Sequence, residues 1–338
     1  MKKILVTGGT GYIGSHTVVE AQQAGYEVVI VDNLCNSQVG VIERIQQITG
    51  IRPAFEQVDC TDMAAMEEVF KKHPQIGAVI HFAAFKAVGE SVQKPLQYYH
   101  NNLRSLWVLL TLLPKYEVGN LVFSSSCTVY GQPDHLPVTE QTPRKPAESP
   151  YGNTKQICED IITDAVRAGI PVQGILLRYF NPIGSHPSAK IGELPIGTPQ
   201  NLVPFVTQTA AGIRPQLRIF GNDYNTPDGS CIRDYINVVD LAKAHIVAVD
   251  RMLKKQCKKP VEVFNLGTGK GVSVLEIVRT FERATGVKLP YEIVERRAGD
   301  IEQIWADTTF ANTELGWQAH ETLEDTLSSA WKWQQTLQ

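Results

Sequence analysis

The chain has 338 residues, of which 43% are hydrophobic and 20% are charged. This composition excludes a disordered or collagen-like chain, and the length predicts two packed lobes. The 32 lysine and arginine residues are balanced by 35 aspartate and glutamate residues, giving a net charge of −3. Without a basic excess, neither nucleic acid nor an anionic membrane is an expected partner.

Strand-like and helix-like segments alternate through the first half of the chain. Short β-branched runs predict strands at 4–7, 28–32, 55–59, 78–82, 121–125 and 174–180. Because these runs are apolar on both faces, both faces of the sheet must be covered by helices. We therefore predict an α/β fold with a doubly wound parallel sheet of the Rossmann type.

The second half of the chain has a different pattern. Residues 181–230 are rich in proline, glycine and asparagine, which is typical of loops shaped around a ligand. A helix at 238–253 and a strand at 263–266 are expected to return to the first sheet, and amphipathic helices are predicted at 273–285 and 323–334. This organisation predicts a nucleotide-binding domain over 1–180, with a returning segment near 236–268. A smaller C-terminal α/β substrate-binding lobe follows over 181–338.

The N-terminal segment and the cysteines indicate a cytoplasmic protein. The apolar run after Lys3 ends at Thr7, which is too short for a signal peptide, and no run approaches the length of a membrane span. The six cysteines lack the spacing of zinc ligands or of a disulfide framework. We therefore expect no metal site and a reducing compartment.

A glycine motif directly follows the first predicted strand. Gly8, Gly11 and Gly14 form GxxGxxG at the start of a helix, where small residues let the backbone approach a pyrophosphate. Asp32 ends the second predicted strand, and a carboxylate there binds ribose hydroxyls and repels a 2′-phosphate, which favours NAD over NADP. The alternative for Asp32 is a simple turn residue.

Three residues form a candidate catalytic group. Tyr151 and Lys155 lie one turn apart near the start of a predicted helix, and Ser126 ends the fifth strand. A neighbouring ammonium and a positive nicotinamide ring favour the phenolate, so we expect the pKa of Tyr151 to be lowered toward working pH. A surface pair on a helix and a hydrogen-bonded serine at a strand end are the alternatives.

These motifs together resemble the extended short-chain dehydrogenase/reductase superfamily. Further segments resemble the UDP-glucose 4-epimerase (UDP-galactose 4-epimerase) family along almost the whole chain, namely HFAAFKAVGESVQKPLQYYHNN, LRYFNPIGSHPS, NLVPFV, IFGNDYNTPDGSCIRDYI and RRAGD. The resemblance implies that tightly bound NAD takes hydride from carbon 4 of the sugar and returns it to the other face of a transient 4-keto sugar. UDP-glucose and UDP-galactose are the implied substrates. A homodimer through helices near 95–113 and 151–168 is also implied.

The resemblance assigns roles to individual residues. The implied catalytic residues are Tyr151, Lys155 and Ser126. The implied NAD contacts are Gly8, Gly11, Tyr12, Ile13, Gly14, Asp32, Asn33, Asp59, Cys60, Phe82, Ala83, Ala84, Lys86, Asn101, Tyr151, Lys155, Tyr179 and Phe180. The implied UDP-sugar contacts are Ser126, Tyr151, Asn181, Asn201, Leu202, Phe220, Arg233, Arg297, Asp300 and Ile304.

The proposed sugar-nucleotide contacts make chemical sense. Arg233 and Arg297 offer planar forks for a diphosphate, and Phe220 offers an apolar wall for uracil. The alternative is that each arginine pairs with a carboxylate on its own lobe, for instance Arg233 with the adjacent Asp234. In the resembling family, a tyrosine at the position of Ile304 closes the sugar pocket. Isoleucine is smaller, so action on N-acetylated UDP-hexosamines is expected, but weaker than on UDP-glucose and UDP-galactose. Its alternative is core packing beside Trp305.

Three other functions compete with epimerisation. A nucleotide-sugar 4,6-dehydratase commonly carries Asp-Glu in a TDEVYG pattern, whereas this chain reads CTVYG, so elimination is disfavoured. A UDP-glucuronate-processing enzyme needs a cationic clamp, which a loop could contribute. A regulator that senses NAD or a nucleotide sugar without turnover is disfavoured, because Ser126, Tyr151 and Lys155 are all present.

Overall fold

The computed structural model describes residues 2–297 and 300–337. The strands in this part of the chain are β1 (Lys3–Thr7), β2 (Glu27–Val31), β3 (Ala54–Glu56), β4 (Ile76–His81), β5 (Asn120–Ser126), β6 (Gln173–Tyr179), β7 (Asn181–Ile183), β8 (Leu217–Phe220), β9 (Ile232–Arg233), β10 (Tyr235–Asn237), β11 (Val261–Leu266), β12 (Val272–Ser273), β13 (Tyr291–Val294) and β14 (Gln303–Ile304). The α-helices are α1 (Tyr12–Gln23), α2 (Gly40–Thr49), α3 (Met63–Lys72), α4 (Val88–Gln93), α5 (Pro95–Lys115), α6 (Pro150–Arg167), α7 (Leu202–Ala210), α8 (Val238–Leu253), α9 (Val274–Thr285) and α10 (Leu323–Gln335).

A parallel sheet organises the first lobe. Among the described residues, seven strands pair in the order β11-β6-β5-β4-β1-β2-β3. Apolar residues of α1, α2 and α8 cover one face, and those of α3, α5 and α6 cover the other. The doubly wound α/β sheet predicted from the sequence is confirmed.

The third strand is shorter than the sequence predicts. It ends at Glu56 rather than near Asp59, because beyond Glu56 backbone amides donate to side chains instead of to a neighbouring strand. The Asp59 carboxylate accepts hydrogen bonds from the backbone and the hydroxyl of Thr61. Asp62 then caps α3 by accepting from the amides of Ala64 and Ala65. The chain therefore leaves the sheet early and turns into the helix.

The second lobe packs around its own apolar core. Helices α7, α9 and α10 contribute Val206, Phe281 and Leu327 to this core, with β8 adding Ile219. Ser273 and Glu276 form a reciprocal capping box that begins α9.

Two short contacts join the lobes beside the carboxyl edge of the first sheet. Val138 forms a parallel bridge with Ala306, and its amide donates to the Trp305 carbonyl at 3.0 Å. On the other side, the Tyr12 hydroxyl donates to the Gly184 carbonyl at 2.7 Å. The cleft between the lobes therefore opens where the strands end, which is where open α/β sheets bind ligands.

Candidate active site

The glycine turn between β1 and α1 has no room for side chains. Gly8 has φ of +70°, and a Cβ there would lie 2.9 Å from the Ala83 nitrogen. A Cβ on Gly14 would lie 2.2 Å from the Gly8 carbonyl oxygen. Helix α1 begins at Tyr12 with no side chain capping it at Gly11. The first amides of this helix therefore offer donors to an anion, and the turn fits a dinucleotide pyrophosphate.

Asp32 lies at the carboxyl end of β2, as predicted, and is almost fully buried. Its carboxylate accepts from the amides of Thr10 at 3.2 Å and Leu34 at 2.9 Å, and from the Ser37 hydroxyl at 3.1 Å. Nearby, the Asn33 amide donates to Asp59 at 3.1 Å. These carboxylates lie beside the glycine turn, where an adenosine ribose would be bound.

Further predicted cofactor residues occupy four different surroundings. Phe82, Ala83 and Ala84 follow β4 in the segment that packs against Gly8. Lys86 forms an ion pair with Glu193 at 3.3 Å, and Asn101 donates to the neighbouring Asn102 at 3.0 Å. Ile13 lies in the first turn of α1.

Three predicted cofactor residues have buried side chains. The Cys60 thiol packs in the core beneath the sheet, and burial raises its pKa well above the usual range. The Tyr179 hydroxyl is hydrogen-bonded to Ser124, and Phe180 packs with Tyr130. These three side chains are therefore packed within the apolar clusters of the fold.

The three predicted catalytic residues meet at the carboxyl edge of the sheet. Ser126 ends β5, and its hydroxyl accepts from the Thr128 amide at 3.2 Å. Ser149 caps α6, so Tyr151 lies in the first turn of that helix. The Lys155 ammonium lies 6.0 Å from the centre of the Tyr151 ring.

Burial sets the protonation of this group. It lowers the pKa of Lys155 to about 8, and the ammonium donates to the Ser124 carbonyl at 2.6 Å. Burial raises the pKa of Tyr151 to about 12, although interaction with the Ser126 side chain opposes that shift. The shift for the chain alone is therefore upward, and the lowering of the Tyr151 pKa stays a prediction for the site with a nicotinamide ring in place. The ammonium is directed at a carbonyl, and the phenol loses more hydration than its neighbours replace.

One buried polar residue was missed by the sequence analysis. Asn102 accepts from the Phe85 amide at 2.8 Å and donates to the Phe85 carbonyl and the Thr154 hydroxyl, both at 3.0 Å. It joins the segment after β4 to the helix that carries Tyr151. The sequence does contain a sign of this role, because Asn102 is a polar residue at helical spacing on the apolar face of α5 that contains Leu106 and Leu109.

The predicted diphosphate site is formed by side chains from distant parts of the chain. Arg233 and Arg297 both donate to one oxygen of Asp300, at 2.9 and 3.2 Å. The Arg297 guanidinium also lies 5.7 Å from the centre of the Phe220 ring. Beside them is an open depression of about 840 Å³ lined by residues of β8, β13 and the segments that follow, including Phe220, Arg296 and Arg297.

The alternative of an intramolecular ion pair is seen for both arginines, but Asp234 is not the partner. Its carboxylate accepts from the amides of Thr268 at 2.8 Å, Gly269 at 3.1 Å and Ala306 at 3.2 Å. The Asp234 side chain is thus fully engaged in holding the loop after β11. Asp300 instead neutralises the two arginines that the sequence assigned to a ligand.

The remaining predicted substrate residues lie on different elements. Asn181 begins β7, and its backbone amide donates to the Asp234 carbonyl at 2.9 Å. Asn201 donates to Glu193 at 2.5 Å, and Leu202 begins α7. Ile304 is 2% exposed.

Core packing of Ile304 is also seen, with different neighbours from the one expected. Its side chain belongs to an apolar cluster with Cys127, Tyr130 and Phe180. This position therefore shares a packed cluster with the residue that follows the predicted catalytic serine.

The described residues contain no group of three or more His, Cys, Asp or Glu side chains that could hold a metal ion. In the same part of the chain, no helix is both long and apolar enough to cross a membrane.

The doubly wound sheet, the glycine turn and the Ser–Tyr–Lys group define an extended short-chain dehydrogenase/reductase. A family model described as GDP-mannose 4,6 dehydratase matches residues 5–330. The match extends over both lobes.

Individual relatives narrow this assignment. The UDP-glucose 4-epimerase of Mus musculus is 50% identical over 340 residues, which cover 99% of this chain and 97% of that protein. The structure of UDP-glucose-4-epimerase from Stenotrophomonas maltophila, with bound NAD and formylated UDP-arabinopyranose, has a TM-score of 0.96 and 48% identity, covering 100% of this chain and 99% of that one. The enzyme from Bifidobacterium longum, in complex with NAD+ and UDP, has a TM-score of 0.95 and 47% identity, covering 99% and 98%. The chain belongs to the UDP-glucose 4-epimerase family, which confirms the family predicted from its motifs.

The glycine turn generates a direct prediction. Gly14→Ala places a methyl group 2.2 Å from the Gly8 carbonyl, so the turn must shift and the dinucleotide site is distorted. Purified Gly14→Ala protein is expected to carry less than a tenth of the parent's dinucleotide, a loss of about 1.4 kcal/mol or more in binding. Dinucleotide released by acid is quantified by chromatography. Gly40→Ala is the matched control, because a Cβ at Gly40 meets nothing within 4 Å. Equal dinucleotide content in the two variants would contradict the assignment.

Proposed function

We propose that this chain interconverts UDP-glucose and UDP-galactose by epimerisation at carbon 4, with NAD retained between turnovers. The observation that carries the proposal is the meeting of Ser126, Tyr151 and Lys155 at the sheet edge to which the glycine turn also belongs. Relatives about 50% identical over nearly the whole chain carry the same activity in their names.

The NAD would be held by the glycine turn, the first amides of α1 and the carboxylate of Asp32. When bound there, NAD would supply the chemistry of hydride transfer to and from carbon 4 of the hexose. Asp32 distinguishes NAD from NADP, because its buried carboxylate repels a 2′-phosphate.

Tyr151 is the group that takes the proton from the sugar 4-hydroxyl. A phenol with a pKa of about 12 is neutral at working pH, so a positive charge must stabilise the phenolate. The Lys155 ammonium supplies one such charge, and the Ser126 hydroxyl donates to the oxygen that is losing its proton. On return of the hydride, Tyr151 gives the proton back to the 4-oxygen. No net oxidation occurs.

Binding of the UDP part around Phe220 would allow hydride transfer at either face of the sugar within one site. Arg233 and Arg297 would turn from Asp300 to the diphosphate, and Phe220 would pack on the uracil. Binding affinity would then reside in the UDP part, which leaves the hexose free to present either face. This division favours epimerisation over a reaction that needs one fixed sugar orientation.

The residues after Ser126 favour epimerisation over 4,6-elimination. The strand continues into a short turn, Cys127–Tyr130, which contains neither Asp nor Glu. Burial raises the pKa of the Cys127 thiol to about 12, so it is not an available acid–base group at neutral pH. Elimination needs a further acid and base at this place.

We further propose that the protein is a cytoplasmic homodimer. Helix α5 leaves two large apolar side chains uncovered, because Leu96 is 82% exposed and Trp107 is 51% exposed. Val88 and Val92 of the neighbouring α4 are also exposed. Burying such a surface against a second copy would remove apolar area from water.

Retention of the cofactor separates epimerisation from dehydrogenation. Extensively washed protein is expected to convert UDP-galactose to UDP-glucose without added NAD, because the cofactor is reduced and reoxidised in each turnover. The two UDP-hexoses are resolved by chromatography. Activity that consumes added NAD stoichiometrically would instead identify a dehydrogenase.

The role of Tyr151 is tested by removing one oxygen. In Tyr151→Phe, kcat is expected to fall by about 10² or more, which is the usual contribution of a positioned acid–base group. UDP binding and the thermal midpoint should stay close to those of the parent, since the ring still packs. Tyr116→Phe is the control, because Tyr116 lies at the end of α5 and its hydroxyl bonds to Glu67. A Tyr151→Phe variant with parental kcat would refute the assignment.

Ile304 provides a test of substrate width. We propose that UDP-glucose and UDP-galactose are the main substrates and that the N-acetylated pair reacts more weakly. Ile304→Tyr should lower relative kcat/KM for the N-acetylated pair by about 5- to 150-fold, the range expected from overpacking a site, and Ile304→Ala should raise it. The kcat/KM ratio is measured for both substrate pairs in all three proteins. An unchanged ratio would show that Ile304 serves only the apolar cluster around Cys127.

A further inference from the structure

A buried ion pair lies directly behind the catalytic group. Glu159 of α6 and Arg178 of β6 are 3% and 6% exposed. The guanidinium donates to both carboxylate oxygens, from Nε at 2.9 Å and from Nη2 at 2.6 Å. This bidentate geometry fixes both side chains in direction as well as distance.

Glu159 continues the face of α6 that carries the catalytic residues. Tyr151, Lys155 and Glu159 follow one another at intervals of four residues, so they lie on the same side of the helix. The Ser125 hydroxyl donates to Glu159 at 2.5 Å. One carboxylate therefore joins α6 to β5, at the residue immediately before Ser126, and also to β6.

Arg178 extends the connection to the segment after Ser126. Its Nη1 donates to the Tyr130 hydroxyl at 3.0 Å, and that hydroxyl donates to Asn265 of β11 at 2.6 Å. Tyr130 ends the short turn that begins at Cys127. The pair thus holds the strand before Ser126 and the turn after it, both relative to the helix that carries Tyr151.

Stability alone does not require an ion pair here. Charges buried together lose hydration that their attraction barely restores, and apolar residues of similar size often stabilise a protein equally well. What the pair provides is a fixed geometry. We propose that Glu159 and Arg178 are positioning residues for the epimerisation, which set the Ser126 hydroxyl relative to Tyr151 and Lys155. This inference rests on the proposed function.

The charge of Glu159 also acts on Lys155. The groups that face Lys155 are Tyr151, Cys158 and Glu159 from α6, His81 from β4, and the Phe123 ring and Ser124 carbonyl from β5. Burial and the nearby lysine lower the pKa of His81 to about 3, so this imidazole is neutral.

Loss of the Glu159 charge has a predictable sign. Burial lowers the pKa of Lys155, whereas Cys158 and Glu159 raise it. Glu159 also faces a second cation, because Arg144 Nη1 lies 3.5 Å from its carboxylate. Replacing Glu159 by a neutral residue removes one of the opposing effects and leaves the Arg178 and Arg144 cations without this carboxylate. Both changes lower the pKa of Lys155, so its ammonium is lost at a lower pH. The alkaline fall of kcat should therefore begin at a lower pH than in the parent.

The experiment compares Glu159→Gln with two other variants. Ser125→Ala removes one hydrogen bond to the carboxylate and leaves the ion pair in place. Glu262→Gln is the matched control, because Glu262 and Arg251 form a second buried bidentate pair, at 2.7 and 3.0 Å, near the amino end of β11 and away from the site. For each protein, kcat, KM for UDP-galactose, the pH profile and the thermal midpoint are measured.

The positioning role predicts a particular combination of results. Glu159→Gln should lower kcat by about 10- to 100-fold, the cost of a small misplacement of reacting groups, with KM within about twofold of the parent. Its alkaline limb should move to lower pH. Ser125→Ala should lower kcat by about three- to tenfold with unchanged KM. Glu262→Gln should lower the thermal midpoint while keeping parental kcat and pH profile.

Two outcomes would overturn the proposal. In the first, Glu159→Gln keeps the parental kcat and pH profile while its thermal midpoint falls as in Glu262→Gln, which would show that the ion pair is purely structural. In the second, Glu159→Gln does not fold, and Ser125→Ala keeps the parental kcat and pH profile, which would also exclude a positioning role. Absence of epimerisation by the parent protein would instead mark failure of the proposed function, so the two failures are distinguished.

Discussion

Burial of one ammonium group is the constraint on which the site depends. Lys155 is 3% exposed, and a buried cation is costly unless hydrogen-bonded. Its Nζ meets the Ser124 carbonyl at 2.6 Å, two residues before the end of β5. That bond can form only when α6 lies against this strand in one register. Satisfying the lysine therefore also places Tyr151 above the strand end and beside Ser126.

The same burial moves the two titrating groups in opposite directions. Both side chains have ordinary pKa values near 10, yet the surroundings place Lys155 at about 8 and Tyr151 at about 12. A neutral phenol and a proton-bearing lysine are thus the resting forms at neutral pH. Chemistry at Tyr151 depends on charge brought near the phenol, which links proton transfer to occupation of the cleft.

The sequence was sufficient for features encoded locally. The glycine spacing, the Ser149-Pro150 start of α6 and the apolar strands each predict structure from neighbouring residues, and the parallel sheet follows from their alternation. Contacts between residues far apart in the sequence could not be predicted from neighbouring residues. The Asp300 contact with Arg233 spans 67 positions, and the Glu193 contact with Lys86 spans 107. The upward shift of the Tyr151 pKa in the chain alone could not be predicted from the sequence for a related reason, because desolvation depends on how many atoms surround a group in the fold.

The carboxylate of Asp300 gives the cleft an internal anion. One of its oxygens accepts hydrogen bonds from both Arg233 and Arg297, so the positive charge of each guanidinium is already balanced before a ligand binds. Entry of the proposed diphosphate would then be an exchange of anions, and its affinity would be the difference between two sets of charge-assisted hydrogen bonds. A ligand with one weakly charged group would gain little from that exchange, whereas two linked phosphates could satisfy both forks together. The shared Asp300 oxygen would therefore favour ligands by the spacing of their charges as well as by total charge.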